Sequence, residues 1–114
     1  LSRGHIVYYP NGLDDTSKKA LTKQCHAYHL DPKEYLIEVN AIEAQAFACN
    51  IICLGNHVIL SSCGDRLPKI LRKKNYNVHP IDVTQFLAGG GGPHCLTNNI
   101  KQPRIKGGLA NYKN

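Results

Sequence analysis

No stretch of this sequence approaches the roughly 20 consecutive apolar residues that a membrane-spanning helix needs. The opening LSRGHIVYYP has no apolar core of the kind that directs secretion. Acid is scarce: Asp and Glu total 8 against 14 Lys and Arg, giving a formal net charge of +6. The 5 cysteines are odd in number, and their spacing is no disulfide framework, so reduced thiols and a cytoplasmic location are expected. No methionine heads the chain, which suggests a processed or truncated start. What is present is ordinary: 114 residues, 42% hydrophobic and 19% charged. That composition excludes collagen, coiled coil and disorder. A chain of this size buries about two-thirds of its unfolded surface, enough for one modest core.

The pattern along the chain alternates strand and helix signals. Residues 4–10, GHIVYYP, are β-branched and aromatic and predict a strand. Asn11-Gly12 marks a turn, and Asp14 to Ser17 offer helix caps. Leu13, Ala20, Leu21 and Cys25 then recur at helical spacing to about His26. Asp31-Pro32 breaks that helix, and Tyr35 to Val39 alternates as a second strand. A bend at 40–43 leads into Ala44 to Leu54, whose nearly unbroken apolar run predicts a strand covered on both faces. Gly55-Asn56 predicts a hairpin to His57–Ser62. A second helix starts at Gly64-Asp65, buries Leu67, Ile70 and Leu71, and ends on Arg72-Lys73-Lys74. A strand over 75–83 carries Pro80, which argues for an edge. The order is that of an α/β chain with two tandem strand–helix units over residues 1–100. Residues 101–114 are basic, contain no acid and predict a loose tail.

The sharpest chemical signal is Gly89-Gly90-Gly91-Gly92-Pro93-His94-Cys95-Leu96-Thr97. Consecutive glycines let backbone approach a ligand closely with N–H groups uncovered. A cysteine just after such a loop, read as lying at a strand end, is a candidate nucleophile. A free thiol titrates near ~8.5, and only its thiolate attacks. A cationic substrate beside it would favour that thiolate. His94 is adjacent, and on an extended chain adjacent side chains face opposite ways, which argues against His94 as the base for Cys95. The run is no phosphate loop, since it lacks the Lys-Ser/Thr pair and opens no helix. An inert thiol beside a flexible loop is the alternative.

GGGGPHCLT resembles the C-terminal active-site segment of the guanidino-group-modifying enzymes, which include arginine deiminase, agmatine deiminase, dimethylarginine dimethylaminohydrolase and the glycine amidinotransferases. Phe47-Ala48-Cys49-Asn50, followed by an apolar segment, Gly55 and HVILSS, is similar to the family's alanine–asparagine strand and hairpin. The resemblance implies two ββαβ-type modules from the C-terminal part of a pseudo-fivefold α/β propeller. It implies a cysteine-dependent hydrolase that cleaves guanidino C–N bonds through a covalent amidino-cysteine, with arginine, methylarginine or agmatine as the kind of substrate. Amidinotransferase is the sister chemistry, and a non-catalytic binding fragment is the alternative. By the same resemblance Cys95 is the nucleophile, Gly91, Gly92 and His94 line the substrate, and Asn50 is a pocket-side residue. No cofactor and no metal are implied. The family's general base belongs to a His-x-Asp segment; none is expected within this chain, the resemblance places it before residue 1, and the guanidinium-binding carboxylates come from earlier modules. The expected partners are therefore a small guanidino substrate and either an N-terminal chain or a second copy.

Other constellations have simpler readings. Cys25-His26-x-x-His29 and Cys49-x-x-x-Cys53 lack the paired spacing of structural zinc sites. Cys49 and Cys53 fit one face of a strand as core residues. The charge of +6 gathers at a helix end and in the tail, with no nucleic-acid module motif, so no nucleic acid is expected. Tyr8, Tyr9, Tyr28 and Tyr35 read as core or core-rim residues. Asp82 reads as a strand-end carboxylate.

Overall fold

The computed structural model describes residues 1–98. The elements run β1 (Ile6–Tyr8), α1 (Asp15–Ala27), α2 (Pro32–Tyr35), β2 (Leu36–Glu38), α3 (Ala41–Gln45), β3 (Ile52–Leu54), β4 (His57–Ser61), α4 (Arg66–Lys73), β5 (Asn77–Ile81) and α5 (Thr84–Leu87). They form two small sheets. β1 pairs parallel with β2, and β3–β4–β5 is a mixed sheet in which β3 is antiparallel and β5 parallel to β4. The second unit is therefore strand–strand–helix–strand. The first is strand–helix–strand, without the leading hairpin strand. This is a mixed α/β chain with small sheets. The basic tail predicted over 101–114 lies outside the described residues.

Local chemistry accounts for the element ends. Asp14 caps α1 by accepting the Ser17 N–H at 2.7 Å, which satisfies one of the four free donors of a helix start. The hairpin turns at Gly55 with φ +57°, a left-handed conformation that glycine adopts without strain. Leu67 and Leu71 lie one helical turn apart on α4 and are wholly buried. They pack in one cluster with Val58, Leu60 and Val78 of the second sheet and with Ile37 and Val39 at the end of the first. Along β1, Val7 turns to that cluster while Ile6 turns to Gln24 and Cys25 of α1. Side chains alternate across a strand, so the layers run α1, first sheet, α4, second sheet. Each wholly buried leucine contributes about 1.5–3 kcal/mol of transfer free energy.

Polar contacts fix α4 at both ends. Arg66 reaches the Glu38 carbonyl at 2.8 Å, and the Lys74 ammonium reaches Glu34 at 2.7 Å. Tyr76 is buried below the start of the chain, where its hydroxyl meets His5 Nδ1 at 2.8 Å. His5 in turn stacks on Tyr35, with ring centroids 4.7 Å apart.

Three expectations are corrected. The run Ala44 to Leu54 is not one buried strand. Asn40 and Glu43 form a reciprocal capping box that starts α3, and a turn at 46–49 with Phe47 at φ +58° follows it. Only Ile52–Leu54 is strand, so Cys49 stands in the turn and does not share a strand face with Cys53. Here the capping signal outweighs the apolar run. Tyr28, read as core-rim, is 66% exposed beyond the end of α1, whereas Tyr76 is the tyrosine that enters the core. The glycine run does not leave a strand directly, because α5 intervenes between it and β5.

Candidate active site

Asn50 and Cys95, 45 residues apart, meet in two hydrogen bonds. The Asn50 amide donates from Nδ2 to Cys95 Sγ at 2.9 Å, and its Oδ1 accepts the Cys95 backbone N–H at 3.0 Å. The backbone donor needs an acceptor, so Oδ1 must face it and Nδ2 must face the sulfur. One side chain thus fixes both the backbone and the thiol of the same cysteine.

Gly92 explains part of the glycine run. A Cβ there would stand 2.9 Å from Asn50 Cβ and 3.1 Å from its Oδ1. Asn50 Cβ is held by its own backbone and has little freedom to retreat. Gly91 is roomier, since a Cβ would meet Cys95 Cβ at 3.5 Å, and at Gly90 the constraint is a φ of +79°. Gly92 and Pro93 are buried, while Cys95 is exposed. The segment then winds back on itself: Leu96 N–H donates to the Gly92 carbonyl at 3.1 Å, and Thr97 Oγ1 donates to the His94 carbonyl at 3.1 Å. The residues around Cys95 are turned, not extended, so the alternation argument about His94 does not apply. His94 is exposed, and no hydrogen bond joins its ring to Cys95 among the described residues.

Asn50 is held in place by a scaffold built on α3. The Asn50 N–H donates to the Phe47 carbonyl at 2.9 Å, and buried Ala48 donates to Glu43 at 3.0 Å. The Ser61 hydroxyl of β4 bonds the Ala46 carbonyl. Glu43 is 2% exposed and pairs with Arg66, whose two nitrogens lie 3.0 and 2.5 Å from its carboxylate oxygens. Burial alone would push the Glu43 carboxyl up. The Arg66 guanidinium and the Asn40 and Leu67 N–H groups outweigh it and hold the carboxyl below its ordinary range. Glu43 thereby also serves the first turn of α4, where Asp65 makes no side-chain cap.

The structure brings Asn50, Gly91, Gly92 and Cys95 together, and the exposed His94 ring makes no hydrogen bond to them among the described residues. Against the expectation that this chain holds no His-x-Asp, His29-Leu30-Asp31 has that pattern. Its setting is local. His29 is exposed at φ +57° beyond α1, and Asp31 caps α2 through the Lys33 N–H at 2.9 Å. Neither enters the hydrogen bonds around Cys95. The role of Glu43 was also missed, although Asn40-x-x-Glu43 before an apolar run is a capping-box signal. Asp82 accepts from Thr84 N–H at 2.9 Å as a local cap. All five cysteines are free. No group of three or more His, Cys, Asp or Glu able to hold a metal occurs among the described residues, and no helix there is long and apolar enough to cross a membrane.

Comparison with known proteins identifies relatives. No family model matches the chain. It is 29% identical over 103 residues, 90% of its length, to the bifunctional arginine dihydrolase/ornithine cyclodeaminase ArgZ of Synechocystis sp., and spans 14% of that protein. The fold matches the N-terminal domain of ArgZ bound to product with a TM-score of 0.79 and 29% identity, covering 90% of this chain and 36% of that domain. It also matches the same domain, in a variant form, covalently bound to a reaction intermediate. There the TM-score is 0.76 and the identity 29%, over 84% of this chain and 33% of that one.

Proposed function

The chain is a homologue of the arginine dihydrolases, within the guanidino-group-modifying enzymes, and on that premise we propose that it supplies the nucleophilic segment of a hydrolase acting on the guanidinium carbon of arginine. The observation that carries this reading is the clamp of Asn50 on both the N–H and the Sγ of exposed Cys95. The two bonds from Asn50 fix where Cys95 presents its Sγ, and a nucleophile already held in position has less freedom to lose on attack. A docked guanidinium would add a positive charge beside it.

In the proposed reaction the Cys95 thiolate forms a bond to the guanidinium carbon. The C–N bond to a terminal nitrogen then breaks, and that nitrogen leaves as ammonia with a proton supplied from outside this cluster. The resulting amidino-thioether is attacked by water. The C–S bond breaks, the thiolate is restored, and the ureido product departs. The net change is guanidinium plus water giving ureido product plus ammonium. Two easier substitutions replace one hard one. Gly91, beside Cys95, would leave backbone open to a planar substrate, while buried Gly92 makes room for Asn50.

The proton-handling histidine and the carboxylates that grip the guanidinium are assigned to polypeptide beyond this chain, in further modules of a pentein-type propeller. One fact supports this: the chain covers 36% of the relative's N-terminal domain, so that domain is nearly three times as long as the matched part.

Alkylation kinetics test the proposal. In the complete enzyme a haloacetamidine, which carries the amidinium, should modify Cys95 faster than a neutral haloacetamide, and arginine should protect. Equal rates for the two reagents without arginine protection would contradict it.

A further inference from the structure

We propose that His57 and His79 form a binding site for a divalent transition-metal ion of the zinc, nickel or copper class, on the face of the second sheet turned away from α4. His57 opens β4 and His79 is central in β5. In the parallel register His57 lies opposite Asn77 and Ile59 opposite His79, so the two histidines are diagonal neighbours on one face, because side chains share a face every second residue. Val58 and Val78 point the other way, into the core. The imidazoles converge: His57 Nδ1 stands 3.0 Å from His79 Nε2, and the rings lie 5.3 Å apart.

That separation is what a chelate requires. Metal–nitrogen bonds of about 2.0–2.1 Å put two cis nitrogens about 3 Å apart at the right angles of a nickel or tetragonal copper site, and about 3.3 Å apart in tetrahedral zinc, a small side-chain adjustment away. At present one ring must donate a proton to the other; metal binding would release that proton, and the ion would sit off the line between the two nitrogens, with each exposed ring turning to aim its lone pair at it. Two neutral imidazoles suit borderline ions such as zinc, nickel and copper, whereas magnesium and calcium prefer oxygen. The backbone is already fixed by the β4–β5 ladder, and Leu54, Ile59 and Ile81 line the same groove as the two rings. Protein supplies two ligands, and water would complete the coordination sphere. The site shares no residue with the Asn50–Cys95 clamp. It also differs from the cysteine–histidine pattern near residue 25, where Cys25 is buried and His26 exposed.

The test is a titration of the full chain with Ni²⁺ followed by backbone amide resonances, which the paramagnetic ion broadens locally. The expected result is saturable broadening centred on residues 56–59 and 77–79, unchanged in Cys95→Ala. His57→Ala and His79→Ala, both at exposed positions, should keep the apo spectrum elsewhere and each weaken binding about 100-fold, the scale of losing one arm of a two-armed ligand. Broadening that begins at His26, His29 or Cys95, or an affinity unchanged in His57→Ala, would overturn the proposal. So would magnesium binding as tightly as nickel.

Discussion

Replacing Gly92 by alanine tests the clamp more sharply than removing the clamp itself. The added Cβ would lie 2.9 Å from Asn50 Cβ, closer than carbon atoms pack, so one of the two segments must shift. Overpacking of this kind costs about 1–3 kcal/mol. Displacing Asn50 also breaks its two bonds to Cys95, each contributing about 1 kcal/mol net. Because relief of the clash and loss of the bonds are alternatives, Gly92→Ala should cost about 2 kcal/mol. Gly91→Ala, whose Cβ would find ordinary contact at 3.5 Å, should cost less than about 0.5 kcal/mol. Denaturant unfolding reads both. Asn50→Gly removes the opposing Cβ, so the pair Gly92→Ala/Asn50→Gly should be less destabilised than the sum of the singles, with a coupling of about 1 kcal/mol. Additive costs, or equal costs at positions 91 and 92, would refute the packing argument.

Further outcomes follow from the same contacts. Asn50→Ala should slow amidine capture at Cys95 about tenfold, as loss of the two hydrogen bonds that position it predicts, while Cys95→Ala should abolish capture and keep the fold, both read by mass spectrometry and circular dichroism. Arg66→Ala leaves the Glu43 carboxylate buried and unpaired and should cost about 2 kcal/mol, less than a fully buried pair because Arg66 is 48% exposed. Stability should fall in acid in two windows. His5 is held below its ordinary 6.5, first by burial and then by Lys74, so the unfolded chain takes up the proton first and stability declines as pH falls below 6.5. Glu43 is also depressed, from 4.5, so its contribution is complete above that value and disappears as pH falls below it. His5→Phe should remove the upper window and leave the lower one, as urea midpoints across pH will report.

Sequence patterning revealed most elements and one half of the site. Asp14, the period of α1, Gly55-Asn56 and the Leu67/Leu71 stripe each carried a local signal that the fold keeps. The glycine run and Cys95 were visible for the same reason: such glycines have no use in a regular element. The contact from Asn50 to Cys95 spans 45 residues, and no period or cap encodes it, so the sequence alone placed Asn50 by resemblance only. The run Ala44 to Leu54 does not form one strand because its apolar content fits a buried strand as well as the end of a short helix tied through Glu43 to the start of α4. The capping pair Asn40 and Glu43 decides between them. The burial of Glu43 could not be foreseen, since its partner Arg66 comes from the next unit.

The most direct measurement is peptide mass analysis of the complete enzyme, acid-quenched during arginine turnover. The account predicts a transient adduct on the peptide containing Cys95, heavier by arginine less one ammonia, and absent in Cys95→Ala. Turnover of arginine with Cys95 unmodified at every quench time, or persisting in Cys95→Ala, would contradict it.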